Sequence, residues 1–118
     1  MTILMDKLYM DGNWVKVHEH FANINPADGS TWAEIADAGV EMAVTAIDSA
    51  KAAFSTWSTL SFNERAKFLL KIADEFERRK DDLVLAIKSE AGGTFGKAMF
   101  ESSYIPGIFR SAASHNFQ

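Results

Sequence analysis

Apolar and polar positions along the chain change period twice, and the changes mark its elements. Leu8-Tyr9-Met10 and Trp14-Val15 are short apolar runs on either side of Asp11-Gly12. A glycine after Asp supplies the positive φ of a tight hairpin turn, so the spacing predicts a hairpin over residues 7–15. Lys16 to His20 is polar and reads as a loop or strand edge. Phe21-Ala22-Asn23-Ile24 alternates as a strand. Asn25-Pro26-Ala27-Asp28-Gly29 is a turn, with Pro presetting φ and Gly tolerating the left-handed region. Alternation resumes at Thr31-Trp32-Ala33-Glu34-Ile35-Ala36. Two small antiparallel strand pairs are expected.

From Asp37 the period becomes helical. Val40, Ala43, Val44, Ile47, Ala50, Phe54 and Trp57 recur at three- and four-residue steps and share one face. Asp37 is the expected cap of this first helix. The second begins at Ser61-Phe62-Asn63-Glu64, a capping-box pattern in which Ser61 accepts an early backbone N–H and Glu64 reaches back. Its expected buried stripe is Phe62, Ala66, Leu69, Ala73 and Phe76, widened by Leu70 and Ile72. Lys71 with Glu75, Asp74 with Arg78, and Glu75 with Arg79 are spaced to pair on the outer face. Each such pair contributes about 0.2–0.5 kcal/mol, against about 1.5–3 kcal/mol for burying Leu69 or Phe76. The stripe should hold this helix in place. Asp81-Asp82 can cap a third helix over Leu83 to Ala91, stopped by Gly92-Gly93. A fourth pattern runs through Phe95, Ala98, Met99, Ser102, Ile105, Phe109 and Ala112. Pro106-Gly107 interrupts it and predicts a kink or break, because proline removes a backbone donor and clashes with the Ser102 carbonyl. No C-cap signal follows it, and no internal repeat or interdomain linker is evident.

Composition narrows the chemistry. The 118 residues are 47% hydrophobic and 24% charged, ordinary for a globular domain. The net charge of −4 comes without a block of basic residues, which argues against nucleic acid as a partner. No apolar run has the length of a membrane span and no secretory pattern opens the chain, so a cytoplasmic location is expected. Cys is absent, which excludes disulfides, thiolate metal sites and thiol nucleophiles from these residues.

The remaining candidates are sparse. His18 and His20 would share a face if both lay on one strand and could meet a metal, but no third ligand is well spaced, and an exposed strand edge is the favoured reading. Gly92-Gly93-Thr94-Phe95-Gly96-Lys97 has the composition of a phosphate loop but the wrong spacing, and it follows a helix. A helix stop, with Lys97 on a solvated first turn, accounts for it better. Ser114 and His115 are adjacent and point apart, without an orienting acid. Glu90 and Glu101 are eleven apart across a glycine break and read as helix-surface acids. The residues alone predict an α+β chain, with a β lead-in over about 7–36 and about four helices over about 38–114, and no complete active site.

The order of segments nevertheless resembles the N-terminal portion of the aldehyde dehydrogenase superfamily. The resemblance is carried by Leu8-Tyr-Met-Asp-Gly-Asn-Trp-Val15, Ile24-Asn-Pro-Ala-Asp-Gly29, the run Ala43 to Trp57, Glu64-Arg65, Ile72-Ala-Asp-Glu-Phe-Glu-Arg-Arg79 and Glu90-Ala-Gly92. Where the family commonly has Thr-Gly-Lys after the acid matching Glu90, this chain has Ala91-Gly92-Gly93. The run from Gly92 to Ala98, with Glu101, looks more like the bacterial branch acting on benzaldehyde, vanillin or salicylaldehyde.

The resemblance implies an N-terminal piece, residues 1–118, of the α/β cofactor domain of an NAD- or NADP-dependent enzyme that oxidises an aldehyde substrate to a carboxylic acid. In the family the catalytic Cys, general base and cofactor-binding segment lie beyond the matched region. No catalytic and no cofactor-binding residue is therefore assigned here, and the chain alone is expected to be inactive and to hold no cofactor. The resemblance also implies a structural cation bound by backbone carbonyls at Ile24 and near Glu101. A homo-oligomer through exposed apolar helix faces is expected. The alternative is a non-catalytic helical module that self-associates or docks on a full-length relative.

Overall fold

A computed structural model describes residues 3–115, which form five short strands followed by four helices. The chain divides into two compact units, Met1–Ser58 and Thr59–Gln118.

The first unit holds β1 (Ile3–Met5), β2 (Lys7–Met10), β3 (Asn13–Lys16), β4 (His20–Ile24), β5 (Thr31–Ala36) and α1 (Val40–Trp57). The expected hairpin is β2–β3. Asp11 and Gly12 both adopt positive φ, 49° and 75°, which matches the turn twist to the twist of the strands. Tyr9 pairs with Trp14 across the ladder and their rings meet edge to face, 5.3 Å between centroids. The turn after β4 is tied as its sequence requires. The Asn25 side chain accepts from the Ala27 amide at 2.9 Å, and Gly29, at φ 75°, donates to the Asn25 carbonyl at 2.8 Å. β4 and β5 pair antiparallel, with a register slip at Asn23/Ile24.

Both expected antiparallel pairs form in this unit, one of them extended by a further strand, and one expectation fails. The second sheet is not a simple pair: β1, assigned to no element from the sequence, lies parallel to β5 and makes a mixed sheet of order β1-β5-β4. Three residues paired with a partner thirty positions away leave no local signal. Asp37 does not cap α1. Gly39 does, at φ 34° and without a side-chain bond, while the Asp37 amide donates to the Glu19 carbonyl at 2.8 Å. The hairpin and helix are joined where the Ser49 hydroxyl meets the Asp11 carboxylate at 3.2 Å.

The second unit is α2 (Phe62–Arg78), α3 (Lys80–Ala91) and α4 (Phe95–Ser114). The capping box forms as expected. The Glu64 amide donates to Ser61 Oγ at 3.3 Å, and Glu64 Oε2 accepts from the Ser61 amide at 2.8 Å and from its hydroxyl at 2.7 Å. Ala73 is fully buried and Phe62, Ala66, Leu69 and Phe76 are half-buried, the predicted stripe; Leu70 and Ile72 stay exposed and do not widen it. α2 packs chiefly on α4, where Phe76 stacks on Phe109 with centroids 5.4 Å apart. The predicted charge pairs are replaced. Arg78 binds Glu75 one turn back, Arg79 binds Asp82, and Arg110 of α4 spans Asp74 and Glu77 of α2. Four-residue spacing permits a pair, but a second helix offers Asp74 and Glu77 a shared guanidinium.

α3 starts earlier than expected, at Lys80, with Asp81 and Asp82 in its first turn rather than capping it. Gly92 ends it in the left-handed conformation at φ 61°, as predicted. The fourth helix departs most. It runs unbroken from Phe95 to Ser114 through Pro106, which is buried. The buried ring contributes packing that offsets part of the forfeited hydrogen bond, and the helix as a whole is held by its buried inner face.

Candidate functional site

Each sequence-derived candidate is placed by the structure, and none assembles into a reactive centre. His20 opens β4, but His18 lies in the bend before it, so the two do not share a strand; both are exposed. Among the described residues no three His, Asp or Glu side chains are grouped to hold a metal ion. Ser114 and His115 are both turned onto the Ser111 carbonyl. The Ser114 hydroxyl donates at 2.7 Å, and His115 Nδ1 lies 2.6 Å from the same oxygen. Glu101 pairs with Lys97 across one helical turn at 3.7 Å. Ile24 ends β4 in the first unit at the register slip, and Glu101 lies in the first half of α4 in the second.

The Gly92–Lys97 segment is a helix-to-helix joint. Thr94 caps α4 by accepting the Lys97 amide at 3.3 Å, so that donor is occupied. Gly93 sits in a close contact: a Cβ there would lie 3.3 Å from Ile87 Cγ2, which would have to give by a few tenths of an ångström. The side chains with displaced acidities are likewise structural. The Ser61 hydroxyl and amide hold the Glu64 carboxyl below its ordinary value, and the hydrogen bond from Arg78 does the same to Glu75. Bonds to Glu77 and then Asp74 raise Arg110. Ser30 lowers Asp28 in the turn after β4.

What the structure does display is apolar surface. α1 buries no residue; Val40, Ile47 and Phe54 on its predicted stripe are 80%, 66% and 64% exposed. The stripe exists as the sequence indicates, but Val40, Ile47 and Phe54 lie on the exposed side, while Met42, Ala46 and Ser49 are half-buried. α4 is apolar on two faces. Ala98, Ser102, Pro106 and Ala113 are buried, and Phe100, Tyr104 and Ile108 form a second, outward row. That row was legible as a four-residue repeat, but the sequence reading followed only the inner stripe. Phe100 and Tyr104 stack at 5.9 Å, and a shallow groove lined by Tyr104, Gly107, Ile108, Ser111, Ala112 and His115 runs beside them.

Among the described residues the only side chain buried completely besides alanines is Ser102, whose hydroxyl donates back to the Ala98 carbonyl at 2.7 Å. The described residues form a scaffold with exposed apolar faces, and the candidates among them do not bring a nucleophile to a base.

Comparison with known proteins agrees with the scaffold. A family model described as "Aldehyde dehydrogenase family" matches residues 14–118. The chain is 31% identical over 110 residues to a salicylaldehyde dehydrogenase of Pseudomonas sp. strain C18, covering 92% of this chain and 23% of that protein. It is 32% identical over 102 residues to the mitochondrial succinate-semialdehyde dehydrogenase of Rattus norvegicus, covering 86% of this chain and 20% of the relative. Its fold superposes on a crystal structure of an NAD-dependent benzaldehyde dehydrogenase from Corynebacterium glutamicum with a TM-score of 0.85 and 29% identity, over 92% of this chain and 24% of that one. The chain thus spans about a fifth to a quarter of the length of these relatives.

Proposed function

The chain belongs to the aldehyde dehydrogenase family, and from that premise we propose that it serves as the N-terminal scaffold segment of an NAD(P)-dependent enzyme oxidising an aldehyde, of the aromatic class, to a carboxylic acid. The observation that carries the reading is the match of the family model from residue 14 to residue 118, which takes in β3 to β5 and all four helices. The salicylaldehyde and benzaldehyde dehydrogenases among the relatives support the aromatic class. In such an enzyme a bound nicotinamide cofactor would supply the hydride acceptor.

The residues of this chain do not fit the role of holding that cofactor. The Gly-rich segment here joins two helices, and its glycines serve a stop and a close contact rather than a phosphate cradle after a strand. With no Cys in the chain, the thiol nucleophile is supplied elsewhere, and these 118 residues alone are inactive. Their part is to present apolar helix faces to further protein, including other subunits of a homo-oligomer.

The test is direct. The purified chain is incubated with benzaldehyde and, in parallel, with succinate semialdehyde, in the presence of NAD or NADP, and absorbance of the reduced cofactor is followed. No formation above the protein-free rate is expected. Turnover by the chain alone would overthrow the scaffold assignment.

The second reading is a non-catalytic module that docks on a full-length relative. The exposed stripe of α1 favours it as much as the first. Sequencing the gene beyond codon 118 separates them: in-frame continuation into a cofactor-binding segment and a Cys supports the first, and an immediate stop codon the second.

A further inference from the structure

We propose that Asp11-Gly12, the turn of the β2–β3 hairpin, is a site of spontaneous covalent rearrangement: the Gly12 amide nitrogen attacks the Asp11 side-chain carboxyl, and the cyclic imide so formed opens to an isoaspartyl linkage. The modification is separate from the aldehyde-oxidising reading above, and the cofactor-reduction test does not bear on it. The atoms balance without a co-reactant. The new bond joins Gly12 N to Asp11 Cγ. The Cγ–OH bond of the protonated carboxyl breaks, and the hydroxyl leaves as water with the amide proton. Water then opens the ring. Attack at Cγ returns aspartate. Attack at the Asp11 backbone carbonyl carbon leaves the chain running through Cγ, one methylene longer, with a free carboxylate on Cα.

The chain holds two Asp-Gly pairs, at 11–12 and 28–29, and only the first is open to this chemistry. All four residues are exposed. Both glycines sit at φ 75°, and a Cβ on either would meet no atom within 4 Å, so neither sequence nor space separates the pairs. Hydrogen bonding does. Gly29 donates its amide to the Asn25 carbonyl at 2.8 Å, and the Asp28 carboxylate accepts the Ser30 amide at 2.9 Å and the Ser30 hydroxyl at 2.7 Å. Ser30 thereby holds Asp28 below the ordinary carboxylate range, in the anionic form that an amide nitrogen does not attack. At the hairpin turn the Asp11 carboxylate accepts only the Ser49 hydroxyl, at 3.2 Å, and among the described residues no hydrogen bond occupies the Gly12 amide.

Asn13 adds to the reactivity. Its Nδ2 donates to the Asp11 backbone carbonyl at 2.8 Å. That carbonyl belongs to the same peptide unit as the Gly12 N–H, and the charge of the deprotonated nitrogen is shared with its oxygen. A donor at the oxygen therefore eases loss of the amide proton and makes the nitrogen a better nucleophile. Asp11 itself stands at φ 49°, the one positive φ among the described non-glycine residues. A side chain is disfavoured there, so less is given up in leaving the turn for the ring. The product no longer fits a two-residue connection, and the Tyr9–Trp14 edge contact and the Ser49–Asp11 bond should be lost with it.

The 118-residue chain is aged in water enriched in heavy oxygen, digested with trypsin in ordinary water, and mapped by mass spectrometry. Cleavage after Lys7 and Lys16 isolates Asp11 in residues 8–16, and Asp28 falls in residues 17–51. Each passage through the ring leaves heavy oxygen at the aspartyl site. Uptake at Asp11 should exceed that at Asp28 at least about tenfold, the factor set by one hydrogen bond to a charged group. In urea, where both turns are open, the two rates should converge. Asn13→Ala should slow uptake at Asp11 by about twofold to tenfold, the range for a neutral hydrogen bond. Asp11→Asn keeps a preferred turn sequence. It reaches the same ring by losing ammonia, and it should form isoaspartate at residue 11 faster than the parent. Equal uptake at Asp11 and Asp28 in the folded chain would overturn the proposal. So would no uptake at Asp11 over an interval that labels the chain in urea, a difference that persists in urea, or an Asn13→Ala variant as fast as the parent.

Discussion

Replacing Phe76 by Ala tests which part of the second unit holds it together. Phe76 closes the buried stripe of α2, is half-buried, and stacks on Phe109 of α4 with ring planes 24° apart. Truncating a fully buried Phe costs about 3–5 kcal/mol, so a half-buried one should cost about 2 kcal/mol. Stacking with Phe109 accounts for about 0.5–1.5 kcal/mol within that figure. For a unit of this size a loss of 2 kcal/mol lowers the melting midpoint by roughly 8–16 °C. The comparison is Arg110→Ala, which removes both bridges from α4 to Asp74 and Glu77. Those groups are solvent-exposed, and exposed ion pairs contribute little to stability. Thermal melts followed by circular dichroism at 222 nm, the usual helix band, and urea titrations give the two losses directly. Phe109→Ala and the double variant complete a cycle, whose coupling should fall in the stacking range of about 0.5–1.5 kcal/mol. If Arg110→Ala lowers the midpoint as much as Phe76→Ala, the charge bridge and not the apolar stripe fixes α2 on α4, and the reasoning is wrong.

Ser61→Ala removes the cap of α2 and should cost about 1 kcal/mol in urea unfolding. The same variant should alter the acid limb. Glu64 is held below its ordinary pKa of 4.5 chiefly by the Ser61 hydroxyl, so the stabilisation is present above 4.5 and lost as pH falls through the lower folded value. The parent should therefore lose more stability than Ser61→Ala between neutral pH and that value, and parallel acid curves would count against the capping account. Gly107→Ala and Gly93→Ala should have opposite signs. The first gains about 0.8–1 kcal/mol of helix propensity in open space, whereas the second presses a methyl against Ile87 Cγ2 and lowers the melting midpoint. Pro106→Ala should restore a backbone donor worth about 3 kcal/mol in a helix interior and forfeit about 1–2 kcal/mol of buried ring, a net gain of about 1 kcal/mol in urea. A net loss would show that the ring's packing has been undervalued.

What could be read from the sequence was what short-range chemistry decides. The Asp11-Gly12 turn, the Ser61–Glu64 box and the Gly92 stop each depend on a few adjacent residues, and each formed as expected. The misses share a different cause. β1 exists only because Ile3–Met5 finds Ala33–Ile35, a pairing set by tertiary structure. α4 survives Pro106 because its inner face, Ala98, Ser102, Pro106 and Ala113, is buried against the unit, which no local penalty foretells. Arg110 satisfies Asp74 and Glu77 from another helix, so the i,i+4 pairs drawn on α2 alone were not the ones adopted. At the level of the site, periodicity gave the apolar stripe of α1 correctly but could not say which side would be covered.

That last failure bears on function. A stripe pattern reports that a face is suited to burial, not that this chain buries it. On α1 and on the outer side of α4, residues with core character stand in solvent, while the residues that are buried are mostly alanine, serine and valine. The features that identify the family here, the capped helix pair from Ser61 to Ala91 and the turn at Asn25–Gly29, are turn, cap and packing residues, each with a structural reason to be where it is. Because those constraints are local, they stay recognisable in a chain that carries no nucleophile. The family is thus marked here through residues whose observed roles are turn, cap and packing.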